Sequence, residues 1–144
     1  MTIDLTDRVD AEPAETTQTA TWVAICRLDD LVPERGVAAL VRGTQVAVFR
    51  LLDDAVYAVQ QLDPYSNACV LSRGIVGTRG GAPTVASPMY KQVFDLRDGA
   101  CLDPMGKEPV DLVPYAVQVT DGVIHLALPP TVAAQPTTDP PTRP

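Results

Sequence analysis

Histidine is almost missing from this chain: there is one, His125, in 144 residues. Any site that needs two imidazoles is therefore excluded. Cysteine is scarce too. Three thiols cannot build a four-cysteine zinc site or a four-cysteine iron–sulfur cluster within one chain. No apolar run approaches the ~20 residues that a membrane span needs. Basic residues are outnumbered, 11 against 18 acidic ones, for a net charge of −7. That argues against non-specific nucleic-acid binding, which needs a basic footprint. The opening residues lack the basic start and apolar stretch of a secretory signal. An odd cysteine count without such a signal fits a reducing, cytoplasmic setting. What remains is 46% hydrophobic and only 20% charged, the composition of a folded chain. Its length predicts one domain.

Composition divides the chain into three. Residues 1–20 carry five acids, one Arg and almost no bulky side chains. Residues 129–144 hold six of the 14 prolines and no aromatic residue. Neither can bury enough apolar area to offset its ordering entropy, so both read as disordered tails. The domain is expected over 21–128.

That middle part reads as all-β. Short apolar or alternating runs at 22–26, 37–42, 45–52, 55–59, 83–86, 92–96, 115–120 and 123–128 are separated by turn residues. The run 45–52 is apolar on both faces except at Arg50, which predicts a central strand. Short strands with frequent turns predict an antiparallel sandwich or small barrel. The segment 64–75 has room for a short helical turn at most. The long irregular stretches, 60–82 and 99–113, are where a site is expected. Gly77-Thr78-Arg79-Gly80-Gly81 is glycine-rich, but no helix follows it, so it is not a phosphate loop. Cys26, Cys69 and Cys101 have no metal-ligand spacing and read as inert thiols, with Cys69 the one expected near the surface. His125 reads as a solvent-side residue of the last strand.

Two motifs carry more. Gln61-Leu62-Asp63-Pro64-Tyr65 precedes Leu71-Ser72-Arg73-Gly74-Ile75-Val76-Gly77, and Val85-Ala86-Ser87-Pro88-Met89-Tyr90-Lys91-Gln92-Val93-Phe94-Asp95 follows. This order resembles the Rieske domain, whose cluster is held by Cys-x-His in one loop and Cys-x-x-His in another. Asp63 falls at the first Cys position, Tyr65 at the first His, Ser87 at the second Cys and Tyr90 at the second His. The opening Leu28-Asp29-Asp30-Leu31, with Pro33 and Gly36, is similar as well. The resemblance spans about 22–128 and implies an all-β Rieske-like fold whose two loops meet at a tip. All four ligands are replaced by oxygen side chains, which are poor substitutes for thiolate and imidazole. The expectation is a tip without a cluster or metal, in which these oxygen groups bond to each other and hold the loops together.

Within that fold, Asp-Pro-Tyr-Ser in the first loop and Ser-Pro-Met-Tyr-Lys-Gln in the second resemble the small subunits of bacterial assimilatory NADH-dependent nitrite reductase. The resemblance implies a non-redox subunit, needed for the reduction of nitrite to ammonium in nitrate assimilation. FAD, an iron–sulfur cluster and sirohaem are then expected in the large subunit, and no cofactor or catalytic residue on this chain. The large subunit is the expected partner, with neither nucleic acid nor membrane involved. The isolated chain is expected to be inactive. Tyr65, Arg73, Met89, Tyr90 and Lys91 are the candidate docking residues, since aromatic, Met and Arg side chains are enriched at interfaces. The alternatives are a cluster-less scaffold module for another oxidoreductase, and an independent enzyme using Cys69 or the tyrosines.

Overall fold

A computed structural model of the chain describes residues 2–4 and 21–128. In chain order its strands are β1 (Thr2–Asp4), β2 (Thr21–Arg27), β3 (Arg35–Val41), β4 (Thr44–Arg50), β5 (Val56–Gln60), β6 (Ile75–Arg79), β7 (Ala82–Ala86), β8 (Val93–Asp95), β9 (Cys101–Asp103), β10 (Pro114–Tyr115), β11 (Val117–Thr120) and β12 (Val123–Leu128). Two single 3₁₀ turns, Leu28–Asp30 and Leu71–Arg73, complete the inventory among the described residues.

The strands form three sheets, ordered β1-β3-β4-β5-β10, β11-β12-β2 and β6-β7-β8-β9. Every pairing is antiparallel except β1 with β3, where Thr2–Asp4 runs parallel to residues 38–40. This strand lies inside the acidic segment read from sequence as a tail. The rest of that segment and all of 129–144 lie outside the described residues.

The run apolar on both faces is the centre of the five-stranded sheet, as its pattern predicts. Val46 and Val48 of β4 point into one core, with Val23, Ile25, Ile124, Leu126 and Leu128 of the three-stranded sheet. Ala47 and Phe49, alternate residues on the same strand, point into a second core with Leu71, Val85, Phe94, Leu96 and Leu112. A strand buried on both faces cannot show the alternation of a half-exposed one. Burying a side chain the size of Phe49, which is fully enclosed, contributes about 1.5–3 kcal/mol. The architecture is a sandwich with a second sheet layer, and no closed barrel is formed among the described strands.

The hairpins follow their turn residues. Asp121-Gly122 joins β11 to β12 with φ of +52° and +76°, the left-handed pair that a two-residue hairpin turn matching strand twist requires. Gly80-Gly81 joins β6 to β7, so the glycine-rich stretch is a hairpin turn and not a ligand cradle. Two strands lie where the sequence reading placed irregular loops: β6 within 60–82 and β9 within 99–113. β6 is short and has no clear apolar alternation. It exists because β7 offers it a complete ladder, Ile75↔Ala86 to Arg79↔Ala82.

Candidate functional site

The second core carries three loops at one end of the four-stranded sheet. The first leaves β5 and is closed at its root. Gln61 donates from Nε2 to Ser72 Oγ at 2.9 Å and accepts the Ser72 N–H at 2.7 Å. Further out, the Asp63 N–H donates to the Ala68 carbonyl at 2.8 Å, and the Asn67 N–H to the Asp63 carbonyl at 2.7 Å. The second loop joins β7 to β8 and is closed by the Ser87 N–H donating to the Gln92 carbonyl at 2.9 Å. The third follows β9, and its far end is anchored where the Leu112 N–H meets the Gly99 carbonyl at 2.8 Å.

Asp63 and Ser87 are both buried, and they meet. The Ser87 hydroxyl donates to Asp63 Oδ2 at 2.5 Å. Asp63 Oδ1 accepts the Tyr65 N–H at 2.9 Å, and Ser87 Oγ accepts the Met89 N–H at 3.1 Å. One side-chain pair therefore caps two turns and ties the loops together. Of the four oxygen groups expected to bond each other, these two do.

The two tyrosines behave differently. No hydrogen bond joins them among the described residues. The Tyr65 hydroxyl donates to the Glu108 carbonyl at 2.6 Å and accepts the Val110 N–H at 2.8 Å. It also lies 3.6 Å from Cys101 Sγ, and its ring tilts against Phe94 with centroids 6.3 Å apart. Burial, followed by the Cys101 contact, pushes its phenol above the ordinary tyrosine value, so it stays protonated and able to donate. Tyr65 is thus a half-buried brace to the third loop. Tyr90 stands half exposed beside Met89, and Arg73 and Lys91 are exposed.

Asp63, Ser87 and Tyr65, oxygen groups already bonded within the protein, do not fit the thiolate and imidazole ligands of a two-iron cluster. The groups at the two cysteine positions are closed on each other, and the group at the first histidine position is held by the backbone of the third loop. Among the described residues no cluster of His, Cys, Asp and Glu gathers at metal-binding distances. Two thiols are shifted away from the reactive thiolate: burial, with the charge of Asp30, pushes Cys26 up to about 11, and partial desolvation also raises Cys69. His125 sits between Ala24 and Gln118 on neighbouring strands and is half buried, away from the three loops.

The third loop is what the sequence reading missed. The sequence marks 99–113 as long and irregular, with a turn at Asp103-Pro104, but assigns no docking residue to it. Its signal was indirect: a half-buried phenol at Tyr65 needs a partner, and the loop supplies one from its backbone. That loop also exposes Met105 and Val110.

Comparison with known proteins follows the same outline. The Rieske-like [2Fe-2S] domain family matches residues 21–127. The nitrite reductase (NADH) small subunit of Escherichia coli K12 is 42% identical over 106 residues, covering 73% of this chain and 95% of that protein. The solution structure of the nitrite reductase [NAD(P)H] small subunit from Erwinia carotovora superposes with a TM-score of 0.65 at 39% identity, over 85% of this chain and 90% of that one. The nitrite reductase [NAD(P)H] large subunit of Klebsiella oxytoca is 45% identical over 97 residues, which are 67% of this chain and 10% of that protein.

Proposed function

This chain belongs to the Rieske-like domain family and, within it, to the small subunits of nitrite reductase, and from that premise we propose that it serves the enzyme by docking and not by carrying electrons. The observation behind this reading is the Asp63–Ser87 pair. The two groups, which the sequence pattern aligns with the cysteines of a Rieske domain, are bonded to each other. A redox role would need a centre, and the side chains at this end do not fit one. The fold keeps the loop tip and uses hydrogen bonds to shape it.

In this reading the large subunit holds FAD, an iron–sulfur cluster and sirohaem. It passes electrons from NADH to nitrite in the cytoplasm, for nitrate assimilation. The small subunit seats on it through the tip. Met89 and Tyr90 are the apolar anchors, Arg73 and Lys91 the charges at the rim, and Tyr65 the brace behind them. No helix among the described residues is long and apolar enough to cross a membrane.

The test is reconstitution. Purified large subunit is assayed for NADH-dependent nitrite reduction with and without this chain, and this chain is analysed alone for iron and visible absorbance after anaerobic preparation. The expected result is that activity needs both chains while the small chain is colourless and iron-free. Stoichiometric iron with cluster bands, or nitrite reduction by the small chain alone, overturns the reading.

A further inference from the structure

The tip exposes more apolar surface than its first two loops supply. Met89 and Tyr90 on the second loop are 46% and 51% exposed, and Met105 and Val110 on the third are 51% and 42%. The loops that carry them form one connected unit. Asp63 ties the first to the second, and the Tyr65 hydroxyl ties the first to the third at Glu108 and Val110. The ladder between β8 and β9 adds to this. Val93 pairs with Asp103, so the chain before Val93 and the chain after Asp103 extend past the same end of the sheet. The loop of Met89 and Tyr90 and the loop of Met105 and Val110 therefore share that end of the domain.

A relative points to the kind of partner for that face. In the Klebsiella oxytoca protein, a domain 45% identical to this one is a stretch of a chain itself named large subunit. The structure explains how a separate chain and an in-line segment can be the same module. Thr21 and Leu128 are register partners at the ends of β2 and β12, so the segment that carries both cores starts and stops at one place. Both cores are built from residues 23–128. A linker can leave from that place without cutting any strand from β2 to β12.

Resting on the docking reading above, we propose that each large chain takes one copy of this domain, seated through the joint face of Met89, Tyr90, Met105 and Val110. A domain carried in-line comes with each chain, and its linker holds it at an effective concentration in the millimolar range. A separate chain has no linker, so its contact face alone must hold it in the same place. Exposed Met and Tyr side chains clustered at the centre of a polar rim are the residue types that supply such affinity.

The experiment titrates purified large subunit with this chain, following binding by fluorescence anisotropy and composition by native mass spectrometry. The expected result is saturation at one small chain per large chain. Met105→Asp with Val110→Asp should raise the dissociation constant at least ten-fold, with the unfolding temperature unchanged. Leu52→Asp, on the exposed turn after β4, should leave binding unchanged. Should the double aspartate variant unfold, Met105→Ser with Val110→Thr is the milder pair, and the same direction is expected. Saturation at one small chain per two large chains overturns the stoichiometry. Unchanged affinity in a folded Met105/Val110 variant removes the third loop from the interface. If the unaltered chain does not bind at all, the docking reading itself fails, and that outcome is distinct from both.

Discussion

Ser87 and Asp63, 24 residues apart in the chain, are joined by a buried 2.5 Å hydrogen bond that ties two loops together. Ser87→Ala leaves a buried carboxylate oxygen without this partner, which costs about 1–3 kcal/mol. In a domain of roughly 100 residues each kcal/mol lowers the unfolding temperature by about 4–8 °C. Asp63→Ala should cost at least as much, because the Tyr65 N–H loses its acceptor too. The double variant should cost clearly less than the two single losses added. Thermal unfolding of all three gives the coupling, and simple additivity would show that the loops are not tied through this pair.

How much of this was legible in sequence depended on whether a residue's partner was local. β4 could be placed at the sheet centre because a doubly buried strand writes its burial into its own composition. The hairpin at Asp121-Gly122 was legible because the turn chemistry is in the dipeptide itself. The Asp63–Ser87 pair was reachable only through the spacing of two loops that resembled a known pattern. β6 and β9 were not legible, since each owes its ladder to a neighbour and not to its own alternation. Tyr65 was assigned to the wrong kind of neighbour for the same reason. A phenol states that it needs a partner, but not that the partner lies at residues 108–110.

Tyr65→Phe removes the donor to the Glu108 carbonyl and the acceptor of the Val110 N–H. Both backbone groups sit on an exposed loop where water can replace the hydroxyl, so the stability loss should be small, about 0.5–1.5 kcal/mol. The larger effect should be local. Amide exchange at Val110 should quicken while exchange in β4 is unchanged, as read by hydrogen-exchange NMR. An unaltered Val110 exchange rate would mean that the third loop is held by something other than Tyr65.

Gly74 has an ordinary φ of −73°, so its requirement is space and not backbone freedom. A Cβ built there would lie 2.5 Å from the Ala86 carbonyl oxygen and 2.6 Å from Val85 Cγ2. Gly74→Ala must push β7 away from the first loop, an overpacking that costs about 1–3 kcal/mol. Gly77→Ala, whose new atom would come no nearer than 3.5 Å to Thr84 Oγ1, is the control and should cost less. Urea unfolding of the two variants decides the matter; equal losses would contradict the close approach at Gly74.

Asp95 is buried at the end of β8, and Arg97 reaches it with Nη2 to Oδ2 at 2.8 Å and Nε to Oδ1 at 3.1 Å. That hydrogen-bonded guanidinium holds the Asp95 carboxyl below the usual carboxylate value. A depressed folded-state pKa stabilises the fold above the unfolded value, about 3.9, and the contribution is lost as pH falls through the folded one. Arg97→Gln should therefore be less stable than the parent at pH 7. The difference should shrink as pH is lowered below 4. Urea unfolding at pH 7, 5 and 3 measures it, and a gap that widens toward low pH would reverse the assignment.

Arg73 and Lys91 are exposed cations in a chain of net charge −7. Arg73 precedes the glycine packed on Ala86, and Lys91 lies in the loop that leaves β7 at Ala86, and the proposed docking makes both of them rim charges. Rim charges act on encounter more than on the formed complex. Arg73→Glu with Lys91→Glu should therefore slow association with the large subunit several-fold at low salt and leave dissociation and the unfolding curve nearly unchanged. The deficit should fade as salt shortens the Debye length, which is already about 8 Å at 0.15 M. Met89→Ser with Tyr90→Ser should do the reverse, speeding dissociation with little salt dependence, because it removes apolar contact and leaves the charge unchanged. Stopped-flow binding of both double variants at two ionic strengths separates the two kinds of loss. If reversing the two cations changes neither association nor stability, the large subunit does not approach from this end of the domain.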